Sequence, residues 1–116
     1  MSVMSDHIVI EEAGGTWVVR AGGAVIGESS NALVLREGDL SDVIYFPKDD
    51  IATAFLDPTD HESHCPHKGD ASYYDIQTKS VSLKNAAWSY ESPSQDVARI
   101  AGHIAFYPDK ATVEQV

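Results

Sequence analysis

Two apolar runs meet at a pair of glycines in the stretch Trp17-Val18-Val19-Arg20-Ala21-Gly22-Gly23-Ala24-Val25-Ile26-Gly27-Glu28. The two glycines tolerate the positive φ angles of a type I′ turn, and the flanking runs are rich in β-branched residues. The stretch therefore predicts a β-hairpin with a two-residue loop. In that register Val19 lies opposite Ile26, and Arg20 lies opposite Val25.

Short apolar or aromatic runs, separated by turn residues, follow the hairpin along the chain. We expect strands over residues 31–35, 43–46, 51–56, 71–76, 81–83, 85–88 and 103–107. Within the fourth of these, Tyr74 and Ile76 share one face and Tyr73 lies on the other, because side chains alternate along a strand. Residues 60–69 have no apolar periodicity and are predicted to be mostly loop.

One short helix is predicted near residues 93–101. Ser92 is a favourable N-cap, Pro93 suits the first helical position, and Gln95 completes a capping box. Gly102 is placed to end the helix. One apolar face is formed by Val97, Ile100 and Ala101. With the strands, this helix predicts a mainly β fold, a single small antiparallel domain.

Length and composition limit the class of protein. The chain has 116 residues, of which 43% are hydrophobic and 22% charged, and this fits one globular domain. We expect an N-terminal arm at 1–15, a β domain at 16–108 and a C-terminal tail at 109–116. A net charge of −10 makes nucleic acid and anionic membranes poor partners.

Cysteine usage and the N-terminal residues indicate the compartment. Cys65 is the single cysteine, which excludes an internal disulfide and fits a reducing environment. No apolar run approaches the roughly 20 residues of a spanning helix, and the first residues lack the pattern of a signal peptide. We expect a cytoplasmic protein.

Reactive side chains are concentrated in one segment that holds His61, His64, Cys65 and His67. All four are competent zinc ligands, so a metal site is the first hypothesis to test. A structural zinc site brings together two separated ligand pairs, whereas this single cluster is stiffened by Pro66. We therefore predict neither a stoichiometric metal nor another cofactor.

Cys65 is also a candidate nucleophile or redox thiol. Pro66 holds it extended, which directs His67 to the same side and His64 away from it. Lys68 is placed to stabilise a thiolate if it curls back. The alternative is an inert, buried cysteine, which is the commoner fate of a lone thiol.

Two further features point to a pocket. Lys68 beside Gly69 lets an ammonium and backbone amides converge on one anion, although a lysine here can equally be solvated or paired with a carboxylate. Trp88 and Tyr90 precede the predicted helix and are suited to wall a pocket, with Glu91 as a polar contact. The alternative is that Trp88 belongs to the core. We expect Cys65, Trp88 and Tyr90 to converge in one cleft.

Three blocks of sequence together resemble one family. They are His64-Cys65-Pro66-His67-Lys68-Gly69-Asp70-Ala71-Ser72-Tyr73-Tyr74, Asn85-Ala86-Ala87-Trp88-Ser89-Tyr90-Glu91-Ser92-Pro93 and Ile100-Ala101-Gly102-His103-Ile104-Ala105-Phe106-Tyr107. In this order they are similar to the bacterial domain-of-unknown-function family 427, from about Thr16 to Tyr107. The resemblance implies an antiparallel β-tent domain, as in methionine-R-sulfoxide reductases, and implies no activity. His67 departs from the tyrosine or phenylalanine common in the family, and the C-x-x-C zinc motifs of those fold relatives are missing.

These observations give three functional hypotheses. The first is a small-molecule-binding domain for a small anionic or aromatic metabolite, in a pocket between the two sheets of the tent. Its expected lining is Cys65, Lys68, Tyr74, Trp88, Tyr90 and Glu91. The second is an enzyme in which Cys65 reacts and Lys68, Tyr90 or Glu91 transfers protons. The third is an interaction module that docks a protein through the same surface. Fast, selective alkylation of Cys65 favours the enzyme, whereas an unreactive thiol with ligand-quenched Trp88 fluorescence favours the binding domain.

Overall fold

The computed structural model describes residues 7–116, which fold into two antiparallel β-sheets. Its ten strands are β1 (Ile8–Glu12), β2 (Trp17–Ala21), β3 (Ala24–Ser29), β4 (Leu33–Glu37), β5 (Val43–Pro47), β6 (Leu56–Cys65), β7 (Gly69–Gln77), β8 (Ser82–Ser89), β9 (His103–Phe106) and β10 (Thr112–Gln115). The large sheet has the order β1-β4-β5-β9-β8-β7-β6, and the small sheet has the order β10-β2-β3. The mainly β, two-sheet fold expected from the sequence is confirmed.

The glycine-pair hairpin forms the centre of the small sheet. Arg20 lies opposite Val25 as predicted, but Val19 lies opposite Gly27 instead of Ile26. A β-bulge accounts for the difference, because one extra residue of β3 enters the pairing at this point. Both Val19 and Ile26 are fully buried, so the bulge leaves the two large side chains in the core.

Apolar side chains form a cluster on each face of the large sheet, because successive residues of a strand point to opposite faces. We call the cluster between the two sheets the inner cluster; it includes Val19, Ile26, Phe46, Ile76 and Ile104. The outer cluster, on the opposite face, includes Leu33, Leu35, Tyr45, Tyr73, Tyr90, Val97 and Ile100. Tyr74 and Ile76 contact the inner cluster and Tyr73 the outer one, as predicted. The large sheet is therefore a central layer, covered on its outer face by residues 90–101.

The prediction of a mostly irregular loop over residues 60–69 is wrong. Strand β6 continues to Cys65 and pairs with β7 down to Gly69, which leaves only residues 66–68 as the hairpin loop. Strand β6 lies at the edge of the large sheet with most of its side chains exposed, so its sequence shows no apolar alternation. An edge strand also tolerates Pro58, because one side of its backbone has no neighbouring strand to pair with. The strand predicted over 51–56 is replaced by an isolated bridge at Ile51 and a 3-10 turn, Thr53–Phe55.

The predicted helix is a shorter 3-10 segment, Gln95–Ile100, interrupted at Val97. Its N-cap is Ser94, not Ser92, so the predicted capping box does not form. Val97 and Ile100 are buried, whereas Ala101 is exposed, and Gly102 ends the segment at φ +69°. None of the helical segments within residues 7–116 has the length and apolar character needed to cross a membrane.

Both ends of the described chain add strands. Strand β1 belongs to the expected N-terminal arm and pairs with β4. Residues 1–6 of that arm lie outside the described residues. Strand β10 pairs with β2, so most of the C-terminal tail expected over 109–116 is part of the small sheet. The short runs 81–83 and 85–88 form the single strand β8, with Asn85 at φ +48°. The Asn85 backbone N–H donates to Asp75 Oδ1 at 2.7 Å, and this hydrogen bond lowers the pKa of Asp75.

Candidate functional site

A cavity of about 230 Å³ opens on the outer face of the large sheet, not between the two sheets, where the sequence predicts the pocket that contains Lys68, Trp88 and Tyr90. We call it the tyrosine cavity, because four tyrosines and a tryptophan contribute to its wall. The lining residues come from several strands and from the β6–β7 hairpin loop, and they are Leu35, Glu37, Leu40, Ser41, Val43, Tyr45, Lys68, Tyr73, Trp88, Tyr90 and Tyr107. Residues on one face of neighbouring strands converge in this way because side chains alternate with a period of two.

An ion pair lies at this cavity. Lys68 Nζ donates to Glu37 Oε1 at 2.7 Å, and the side chains are only 13% and 14% exposed. Glu37 is the last residue of β4, and Lys68 belongs to the hairpin loop between β6 and β7. The cavity therefore presents a positive and a negative group side by side instead of an isolated cation.

The hairpin loop that carries Lys68 is held from outside the hairpin. Ser94 donates from its Oγ to the carbonyl of His67 at 2.6 Å and from its backbone N–H to the carbonyl of Lys68 at 2.9 Å. Two carbonyls of a tight loop are thereby satisfied by one residue. The contact joins the block that runs from His64 to Tyr74 to the residue that directly follows the block ending at Pro93.

Hydroxyl groups form short networks around the cavity. The Trp88 indole N–H donates to the Tyr45 hydroxyl at 3.3 Å. The Tyr107 hydroxyl donates to that of Tyr73 at 3.3 Å, and Tyr73 is 2.8 Å from Ser63 Oγ. Hydrogen-bond networks of this kind restrict the orientation of the phenol rings that take part in them.

The Tyr90 hydroxyl differs from the others. Its ring is buried in the outer cluster, yet among residues 7–116 the hydroxyl has no hydrogen-bond partner. Burial raises the pKa of Tyr90 well above its usual range and raises the pKa of Tyr45 to about 12. Both phenols are therefore neutral at pH 7, and Tyr90 is free to donate a hydrogen bond to a group in the cavity.

Three of the residues proposed from the sequence line the tyrosine cavity, namely Lys68, Trp88 and Tyr90. Cys65 packs against the same outer cluster as Trp88 and Tyr90, although it does not line the cavity. Within the described part of the chain, the Cys65 thiol makes no side-chain hydrogen bond. All four residues therefore lie on the outer face of the large sheet, and the Cys65 thiol is not part of the cavity lining.

Two proposed residues lie elsewhere. Tyr74 contacts the inner cluster, on the opposite face of β7 from Tyr73. Glu91 is exposed and pairs with Lys48 at 3.4 Å, while Ser89 Oγ donates to it at 2.5 Å. The hydrogen bond from Ser89 is the main cause of a lowered pKa for Glu91. Neither side chain lines the tyrosine cavity.

Sequence reasoning missed Glu37 and Tyr45, both of which line the cavity. A signal for Glu37 was present, because Leu33, Leu35 and Glu37 occupy alternate positions of β4 and so share one face. The carboxylate extends an apolar face whose other members belong to the outer cluster. A charged residue at such a position indicates a partner or a site.

The histidines of the hairpin separate in space. His64 Nδ1 lies 2.7 Å from Asp70 Oδ1 on the exposed side, and the His61 ring packs against Tyr73 with centroids 4.4 Å apart. His67 instead faces His7, with ring centroids 5.4 Å apart. Within residues 7–116, the one group of three candidate metal ligands with mutually close donor atoms is His7, Glu37 and His67.

A larger cavity of about 570 Å³ adjoins the first, since Ser41, Val43 and Trp88 line both. Its other lining residues are mainly apolar and are Ala13, Trp17, Val34, Arg36, Asp42, Ile44, Phe106, Pro108, Ala111, Thr112 and Val113. The charged groups here, Arg36 and Asp42, are about half exposed and pair with each other at 3.4 Å. The smaller cavity has the buried polar groups that orient a ligand, so it is the better candidate site.

Fold and site together define a small two-sheet β domain with an aromatic, ligand-sized cavity beside a hairpin loop. Comparison with family models identifies which such domain it is. The chain belongs to the family described as a domain of unknown function (DUF427), whose model matches residues 9–116. The family expected from the three sequence blocks is confirmed, and the match includes β10. Comparison with curated proteins finds no match.

Proposed function

We propose that this domain binds a small aromatic metabolite with a polar substituent in the tyrosine cavity. One observation carries the proposal. Aromatic walls, the Tyr90 hydroxyl, which has no hydrogen-bond partner among residues 7–116, and the ion pair of Lys68 and Glu37 meet around one cavity. Ligand sites are typically apolar and aromatic clefts with a few polar groups that fix orientation, and this cavity has that composition.

The volume limits the size of the ligand. Drug-sized ligands occupy pockets of about 300–1,000 Å³, and the tyrosine cavity measures about 230 Å³. It accommodates a single ring with one or two substituents. At about 0.5 kcal/mol per non-hydrogen atom, a ligand of about ten such atoms binds with a Kd on the order of 0.1 mM.

The polar groups favour the aromatic over the simple anionic alternative. Because Glu37 already neutralises Lys68, a small anion would have to compete with a carboxylate held at 2.7 Å. The neutral hydroxyl of Tyr90 needs an acceptor, and the aromatic side chains of Trp88 and Tyr107 supply apolar ring surface in the cavity lining. A phenol or a similar ring with one polar group meets both requirements.

The test uses Trp88 as the reporter. The chain has two tryptophans, so Trp17→Phe leaves Trp88 as the only one. This variant is titrated with phenol, and with cyclohexanol as a non-aromatic probe of similar size. We expect saturable fluorescence quenching by phenol and a much weaker response to cyclohexanol. Non-saturable quenching by phenol would contradict a binding site in the cavity.

A pair of tyrosine variants locates the binding. In the Trp17→Phe background, Tyr90→Phe removes the free hydroxyl and is expected to weaken phenol binding about tenfold, which corresponds to the loss of one hydrogen bond of about 1.4 kcal/mol. Tyr74→Phe is the matched control, since Tyr74 contacts the inner cluster. Equal effects of the two substitutions would place the probe outside the tyrosine cavity.

A further inference from the structure

We infer that His7, Glu37 and His67 bind a single divalent transition-metal ion of the Zn²⁺ type at the edge of the tyrosine cavity. This inference opposes the prediction from the sequence that the protein carries no stoichiometric metal, because that prediction was argued from the ligands of residues 61–67 alone. His7 lies 60 residues from His67 in the chain and joins it only through the fold. The inference does not depend on the proposed function of the cavity.

The donor set is one that zinc uses. Two imidazole nitrogens and one carboxylate oxygen are the protein ligands of open zinc sites, in which water or substrate takes the fourth position. Imidazole also suits other late first-row metals such as Co²⁺ and Ni²⁺. This set shares only His67 with the sequence cluster of His61, His64, Cys65 and His67.

The distances are close to those of a metal site. The donor atoms of His7, Glu37 and His67 all lie within 4.8 Å of one another, and His7 Nε2 is 3.9 Å from Glu37 Oε2. Ligand atoms at about 2.0–2.2 Å from a tetrahedral ion are about 3.4 Å apart. Rotation of exposed or half-buried side chains by about an ångström at their tips closes that difference.

The backbone holds two of the ligands in place before any metal binds. The His7 carbonyl accepts a hydrogen bond of 2.9 Å from the backbone N–H of Gly38, next to Glu37. The His67 carbonyl accepts the 2.6 Å hydrogen bond from Ser94 Oγ. Supporting contacts of this kind reduce the conformational entropy that ligation removes.

Lys68 leaves one carboxylate oxygen available. The Lys68 Nζ donates a hydrogen bond to Oε1 of Glu37, whereas Oε2 faces His7. An ammonium on the non-coordinating oxygen orients a carboxylate that binds a metal through the other oxygen, which is a common outer-shell arrangement. Lys68 also repels a cation, and the net charge of −10 on the chain offsets part of this repulsion.

The experiment titrates the full-length, untagged protein with ZnCl₂ in a calorimeter and with CoCl₂ by visible absorption. We expect one equivalent of metal per chain and an intense Co²⁺ band typical of four-coordinate geometry. His7→Ala and His67→Ala are each expected to weaken binding at least tenfold. His61→Ala and His64→Ala are the matched controls, because these histidines contact Tyr73 and Asp70 instead, and binding should change less than twofold.

Two results would overturn the site. Absence of saturable binding of both metals is one of them. The other is an equal loss of binding in His64→Ala or His61→Ala, which would assign the metal to the exposed side of the hairpin. Phenol titration of the metal-free protein is measured separately, so failure of the metal site and failure of the ligand cavity are distinguished.

Discussion

Lys68 Nζ and Glu37 Oε1 are 2.7 Å apart although 31 residues separate them in sequence. The contact joins the β6–β7 hairpin loop to the end of β4. Strand β4 lies far from β6 and β7 in the order of the large sheet. It thereby closes one side of the tyrosine cavity. It also relates the tyrosine cavity to the proposed metal site, since Glu37 faces Lys68 with one oxygen and His7 with the other.

Removing one partner of this pair should destabilise the fold. Lys68→Met leaves the Glu37 carboxylate largely buried without its cation, and we expect the free energy of unfolding to fall by about 1–3 kcal/mol. Lys48→Met is the control, because its pair with Glu91 is more than 40% exposed on both sides and is worth at most about 1 kcal/mol. Urea denaturation at pH 7 measures both. Equal losses would show that the Lys68 pair has no special role.

The position of the cap can be tested with two serines. Ser94→Ala removes the Oγ hydrogen bond to the His67 carbonyl and should lower the free energy of unfolding by about 1 kcal/mol. Ser92→Ala changes an exposed residue that caps nothing in the structure and should stay within about 0.5 kcal/mol of the parent protein. Thermal denaturation measures the stability of the two variants. A larger loss for Ser92→Ala than for Ser94→Ala would support the capping box predicted at Ser92.

The two glycines of the first hairpin should differ in their tolerance of a side chain. Both have positive φ, +55° for Gly22 and +78° for Gly23, so alanine at either position costs about 1–2 kcal/mol in backbone strain. A Cβ at Gly22 would also clash with Val81 and Thr78, whereas one at Gly23 meets open space. We expect Gly22→Ala to lose at least 1 kcal/mol more than Gly23→Ala in chemical denaturation. Equal losses would mean that residues 78–81 yield to the new side chain.

Stability should fall steeply in alkaline solution. The pKa values of Tyr45 and Tyr90 are raised by burial, so between about pH 10 and pH 12 the unfolded chain loses these protons while the folded chain keeps them. The stabilisation is complete below the unfolded pKa of about 10, and each tyrosine then removes about 1.4 kcal/mol per pH unit as the pH rises.

Tyr90→Phe tests this cause directly. The substitution removes a hydroxyl that has no partner among the described residues, so stability at pH 7 should change by less than about 0.5 kcal/mol. Above pH 10 the variant should lose stability with a shallower slope than the parent protein. Unfolding followed by circular dichroism across this pH range measures the slope, and an unchanged slope would contradict the role of Tyr90.

Local patterns in the sequence were sufficient for much of the β architecture. The Gly22-Gly23 pair predicts its hairpin because positive φ angles are a property of the two residues themselves. The alternation of Tyr73, Tyr74 and Ile76 correctly assigns their faces, because it follows from strand geometry alone. The three motif blocks also identify the family.

Strand β6 and the cap depend on partners that are distant in sequence. Strand β6 is mostly exposed, so only its hydrogen bonds to β7 make it a strand, and its own residues show no apolar pattern. Ser94 occupies the N-cap position of the 3-10 segment without a side-chain capping hydrogen bond, because its Oγ binds the β6–β7 loop, and this contact favours it over the better sequence match at Ser92. A local propensity worth about 1 kcal/mol is easily outweighed by such a contact.

The candidate site divides in the same way. The sequence predicts that Lys68, Trp88 and Tyr90 lie close together, because two specific blocks with more polar and aromatic residues than a β core needs contain them. In the structure all three line the tyrosine cavity. The fold was needed to show that Glu37 neutralises Lys68, that Glu91 pairs with Lys48, and that His67 packs against His7. The reason is physical: a side chain's type follows from the sequence, but the charge, ring or hydroxyl that it contacts depends on which strands become neighbours in the sheet.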